Sequence, residues 1–284
     1  MIVVGVAIGI GLGLRSADPA RADPPAEAAR QRLLMEAAKE ADSALASLGA
    51  DLIAAREHAR QGVASTVSGE APAPALIAAA DLLASGSDGA EAARRALLAL
   101  DGIAASVEPG AHVPLLSYGG TDLQLIAAQL RTSAEAASVF VDRRRATQAV
   151  VQALAAALAA LERDDPASAL TSLDQADAPL AILQAWENRP PLLQYWMGVS
   201  ADLIGAARDI AKATLDHDKA EIAAAGRRYA DAAERARGAD NALAVTLSEV
   251  ASGVSATPLR GLAALADEAS DARAGVAPLL RAGS

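Results

Sequence analysis

Leu34, Ala38, Ala41, Leu45, Leu48, Leu52, Ala55 and Ala59 advance by four and three in alternation, inside a proline-free stretch that runs from Ala26 past Val67. An α-helix gathers that spacing into one continuous apolar stripe, whereas a half-buried strand would need alternation by two. The stretch therefore predicts one helix of about forty residues, opened by Asp23 as N-cap and Pro24 in the first turn. A stripe that long has to be covered by other long helices.

The rest of the chain supplies them. Thr121 caps a second long helix reaching to about Arg163, with a seam of Leu123, Ile126, Leu130, Ser133, Ala137, Phe140, Arg144, Thr147, Val151, Leu154, Leu158 and Leu161. A third runs from Pro191 to Leu215 through Trp196, Val199, Leu203, Ala207, Ile210 and Thr214. After the turn Asp216–His217–Asp218, in which Asp218 and Glu221 form a capping box, a fourth runs to Val254. Its seam is Ile222, Gly226, Tyr229, Ala233, Ala236, Asp240, Leu243, Leu247, Val250 and Val254. Shorter helices are expected over Ala75–Ala84 and Ala90–Val107, with Asp88 as a cap, from Asp165 to Ala176, from Pro179 to Glu187, and from Thr257 to Arg273 before a frayed tail.

About a quarter of the residues are alanine, aromatics are 2%, and Phe140 is the single phenylalanine. Alanine is the best helix former, and small seams let helices approach closely while burying little area per residue. The fold class that follows is all-α. The expected architecture is an elongated antiparallel bundle of about four long helices with Ala/Leu seams, its corners filled by short helices. Residues 23–284 form that bundle, and 1–22 are a separate leader.

Met1–Leu14 (MIVVGVAIGIGLGL) is apolar and uncharged. At 1.5 Å per residue it reaches about 21 Å, short of the roughly 30 Å of a bilayer core but right for the apolar part of a signal peptide. Ala20–Arg21–Ala22 reads as a cleavage site, although no basic residue precedes the apolar run. Cleaved signal and retained anchor both stay open, with a location at the cell membrane or beyond it. Arg15, Arg21, Arg30 and Arg32 would favour a cytoplasmic body for an anchor, so the side is not fixed.

The net charge of −10, with arginines scattered among more numerous acids, disfavours nucleic acid. Cysteine is absent, which removes disulfides and thiolate metal sites. No nucleophile elbow, zinc-protease motif or phosphate loop occurs, and no cofactor or metal is expected. His58 falls on a polar helix face and His217 in a solvated turn.

Three places stand out as candidate sites. The irregular stretch Glu108–Gly120 holds His112 and Tyr118. Trp186, Arg189, Tyr195 and Trp196 gather aromatic mass around Asn188–Pro191, of the residue types enriched at binding hot spots. Arg144 occupies a seam, where a cation needs an acid partner, with Asp240 the candidate, or else makes an anion site between helices.

The function expected is that of a non-enzymatic, membrane-anchored or exported interaction, scaffold or spacer module. Its partners are the membrane through the N-terminal segment, a protein, and, if the Ala-rich seam closes on a copy of itself, a homodimer. An extracytoplasmic ligand-binding or sensory bundle is the alternative.

Overall fold

The computed structural model describes residues 24–108, 110–187, 189–254 and 256–282. The leader, the cleavage triplet and the cap expected at Asp23 lie outside them. Among the described residues the chain is all-helical, without a strand: α1 Pro24–Ser68, α2 Ala73–Ser85, α3 Ser87–Val107, α4 Gly120–Glu162, α5 Pro166–Asp174, α6 Asp177–Gln184, α7 Pro191–Leu215, α8 Lys219–Val254 and α9 Ala256–Ala282. No described helix is long and apolar enough to cross a membrane.

The α1 stripe is buried as its spacing requires, from Ala38 to Ala59 at every expected step, with Leu34 half-buried at its start. It continues by three and four through Gly62 to Thr66, a buried polar residue whose Oγ1 donates to the Gly62 carbonyl at 2.8 Å. Helix ends also follow from local chemistry. Asp165 Oδ1 accepts from Ser168 N at 3.0 Å to open α5, and Asp218 Oδ1 accepts from Ala220 N and Glu221 N, both at 3.0 Å, to open α8. His217 adopts φ 55° behind α7, and Asp218 N reaches back to the Ala213 carbonyl at 2.8 Å. That is the left-handed C-terminal cap motif, and it gives the exposed His217 a structural position.

Two expected caps are replaced. α4 starts at Gly120 instead of behind Thr121, with Asp122 Oδ2 accepting from Gly119 N at 2.8 Å. The break between α2 and α3 narrows to Gly86, and Asp88 falls inside the first turn of α3.

The expected long helices form, but their buried faces divide between two clusters. The first joins α1, α2, α3, the front half of α4 and α9; the second joins the rear half of α4 with α5, α6, α7 and α8. Among the described residues only α4, about 64 Å long at 1.5 Å per residue, contributes buried residues to both. α9 is the largest departure: it continues past Arg273 to Ala282 and packs along α1. Leu262, Ala269, Ala272 and Val276 are its buried stripe, and Arg273 Nε meets Asp42 Oδ1 at 2.8 Å.

Arginines clamp helices to one another elsewhere too. Arg131 reaches Asp81 at 2.9 Å, Arg235 reaches Asp202 at 2.9 Å, and Arg208 lies between Asp174 and Asp177 at 3.1 and 2.8 Å. Exposed pairs of this kind fix register more than they add stability.

At the entry to α4 a Cβ on Gly120 would stand 2.6 Å from the Ser87 carbonyl oxygen, a backbone atom that cannot swing away. Gly120→Ala is therefore expected to lower stability by about 1–3 kcal/mol, the usual cost of overpacking, in chemical denaturation followed by circular dichroism.

Candidate functional site

The buried stripe of α4 changes face along its length. Leu123, Leu130, Ser133, Ala137 and Phe140 are buried where the heptad places them. Beyond Thr147 the buried positions are Val150, Ala153, Ala157 and Ala160, each one residue before the expected Val151, Leu154, Leu158 and Leu161. A straight helix drifts about 20° per heptad against a 3.5-residue repeat, which over four heptads moves a constant face toward later residues, so drift does not produce this shift to earlier ones. The buried face of α4 turns because its partners change from α2 to α5 and α6. Val151, a seam position by spacing, is left 49% exposed.

A pocket of about 450 Å³ opens where the stripe turns away. It is walled by Val67 from α1, by Arg144, Thr147, Gln148 and Val151 from α4, by Trp196 from α7, and by Asp240, Leu243, Ala244 and Leu247 from α8. That volume lies within the roughly 300–1,000 Å³ of small-molecule sites, and the apolar lining with a few polar groups has their usual chemistry.

The structure brings Arg144 and Asp240 into this pocket but gives each a different partner. Arg144 Nη1 donates to the Val67 carbonyl. α1 ends one residue later, so this is one of the terminal carbonyls that lack a helical donor, at the negative end of the helix dipole. Asp240 Oδ1 accepts from Trp196 Nε1 at 2.7 Å. The expected Arg144–Asp240 ion pair is thus replaced by two separate bonds, and among the described residues neither group is paired with an opposite charge. The neighbours of Arg144 point elsewhere: Arg143 Nη1 donates to the Ile182 carbonyl at 2.7 Å, and Arg145 lies 3.8 Å from Asp142.

In α8 the buried stripe runs Ala225, Ala232, Ala239, Leu243 and Leu247, so Asp240 stands beside the seam and not in it. Alanines on both sides of the true stripe leave no size contrast from which the register can be read.

The aromatic corner divides. Trp196 is buried, at the pocket wall and in the second core, where its ring fills space that alanine cannot. Tyr195 is half-exposed on the other side of α7. Trp186 packs partly buried on the second core, beside a separate shallow groove that it shares with Arg189 and Gln194, and Arg189 Nη1 donates to the Gln184 carbonyl at 2.6 Å.

The Glu108–Gly120 loop is a tied strap on the first core. Val113 N donates to Asp101 Oδ1 at 2.8 Å, Ser117 Oγ to Glu268 Oε2 at 2.8 Å, and Gly120 N to Glu91 Oε1 at 2.9 Å. Val113, Leu116 and Tyr118 are buried beneath it. His112 lies outermost, its side chain 75% exposed and its Nδ1 3.4 Å from Asp101. The loop meets the first turn of α4, about 36 Å along that helix from Arg144, so it is not part of the pocket.

Tyr118 Oη donates to the Leu265 carbonyl at 3.0 Å. Burial, and secondarily the Glu268 carboxylate, hold its phenol well above the ordinary tyrosine range. A group whose folded pKa is raised contributes stability that is present below its unfolded value and lost as pH rises. Stability is therefore expected to fall as pH climbs beyond about 10. Tyr118→Phe flattens that alkaline slope, measurable as denaturation midpoint against pH.

Val67, Gln148, Leu243 and Leu247 escaped functional notice in the sequence, Val67 because its contribution is a carbonyl. Among the described residues no group of three or more histidines or carboxylates converges as a metal site. No known family model matches the chain, and comparison with curated proteins and with solved structures likewise finds no match.

Proposed function

We propose that this chain is a non-enzymatic helical protein, anchored at a membrane or exported by its N-terminal segment, that works by binding, and that a small ligand sits in the Arg144–Asp240 pocket. The observation that carries this reading is the pocket's composition, a cation and a carboxylate unpaired with each other on an apolar wall. The experiment is a broad ligand screen by thermal melting of the full chain. A ligand that binds the fold raises the melting temperature by mass action, and Arg144→Gln abolishes the rise. A screen in which nothing shifts the melting temperature contradicts the reading.

A scaffold or spacer role toward a protein partner is the second reading. It is supported by α4, which carries both buried clusters on one rod and would make an elongated frame of the long helices. The address is tested by identifying the N-terminal residue and the cell fraction. A soluble product starting at Asp23 means a cleaved signal, and an intact product in the membrane fraction means an anchor. Hydrolase or transferase activity that disappears on changing His112 would overturn the non-enzymatic reading.

A further inference from the structure

We infer that the pocket takes a small zwitterion with an apolar body, of the free amino acid or short peptide class, its carboxylate on Arg144 and its ammonium on Asp240. This inference rests on the binding reading above and names the ligand's chemistry.

The charges select it. Arg144 spends Nη1 on the Val67 carbonyl, and a guanidinium has five N–H donors in a planar fork, so donors are left that suit a carboxylate. Asp240 spends Oδ1 on Trp196 Nε1, which leaves Oδ2 as an anionic acceptor. Arg131, Arg208, Arg228, Arg235 and Arg273 all reach carboxylates on other helices or on their own. Arg144 and Asp240 share a pocket and do not close on each other.

A purely anionic ligand would meet the Asp240 charge, and a purely cationic one the Arg144 charge. A ligand carrying both signs satisfies both groups, and like-charge juxtaposition rejects the rest. Leu243 and Leu247, both nearly buried, with Val67 and Val151 at the exposed rim, offer the apolar surface for a hydrocarbon side chain. Bonds to charged groups are the strong class, so losing either end is costly.

The test is calorimetric titration of the full chain in lipid nanodiscs with L-leucine and with leucyl-leucine. Isocaproate serves as the carboxylate-only probe and isoamylamine as the amine-only probe. The inference expects a zwitterion to bind and each single-charge probe to bind about tenfold more weakly or worse. Arg144→Gln and Asp240→Asn should each weaken the zwitterion by a similar factor; the asparagine keeps an acceptor for Trp196, so the wall stays intact. Tighter binding of leucine assigns the free amino acid as the source, and tighter binding of leucyl-leucine assigns the peptide.

Isocaproate binding as tightly as leucine, with Asp240→Asn silent, overturns the zwitterion and leaves the pocket as a binding site. No heat from either zwitterion also overturns it. In that case shifts with other compounds in the thermal screen preserve the binding reading, and a blank screen removes both.

Discussion

Trp196→Ala is expected to cost about 3–5 kcal/mol of stability, the range for deleting a buried tryptophan. The chain has two tryptophans and one phenylalanine to set against its many alanines. Trp196 is 3% exposed and touches a core otherwise built largely from Ala, Leu and Val. Small neighbours on fixed helices cannot collapse into the space a ring leaves. The substitution also takes away the Nε1 donor from Asp240. Trp196→Phe separates the two effects: it keeps most of the ring and loses the bond, for about 1 kcal/mol. Equilibrium urea denaturation of both variants checks the difference, and equal losses would mean that the hydrogen bond outweighs the packing.

Leu48→Ala is expected to remove about 2–5 kcal/mol, from the first cluster. Leu48 is fully buried at the middle of the α1 stripe, flanked along it by Leu45 and Leu52. Both tryptophans lie on the second cluster. Tryptophan fluorescence therefore reports one core, and circular dichroism reports the whole helix content. The variant should lower amide protection in α1, α3 and α9 more than in α5 and α6. Equal loss everywhere would show that α4 couples the clusters into one cooperative unit.

How much of this was legible follows from where residue size changes sharply. The α1 stripe could be read residue by residue because leucines and alanines fill it at uninterrupted steps of four and three. α7 could be bounded at both ends because Pro191 opens it and Asp216 follows its close. The rear half of α4 misled by one residue: Leu154, Leu158 and Leu161 look like core, yet Ala153, Ala157 and Ala160 are buried, and the leucines lie half-covered beside them. A change of partner decides that, and it is not written in a local window. α9 was underestimated because its stripe holds one leucine, Leu262, among Ala269, Ala272 and Val276. At the site, Arg144 and Asp240 were visible as anomalies. The partners that hold them were not, since the Val67 acceptor is backbone and the Trp196 donor comes from another helix.

The central claim is that Arg144 and Asp240 line one pocket without satisfying each other, and a double-mutant cycle tests it most directly. Urea denaturation of Arg144→Gln, Asp240→Asn and the double variant gives their coupling energy. A coupling below about 1 kcal/mol is expected, as for two charges that share a cavity but no bond. A coupling of about 1 kcal/mol or more would mean that the two close on each other as a structural ion pair, and that no unpaired charges face the pocket.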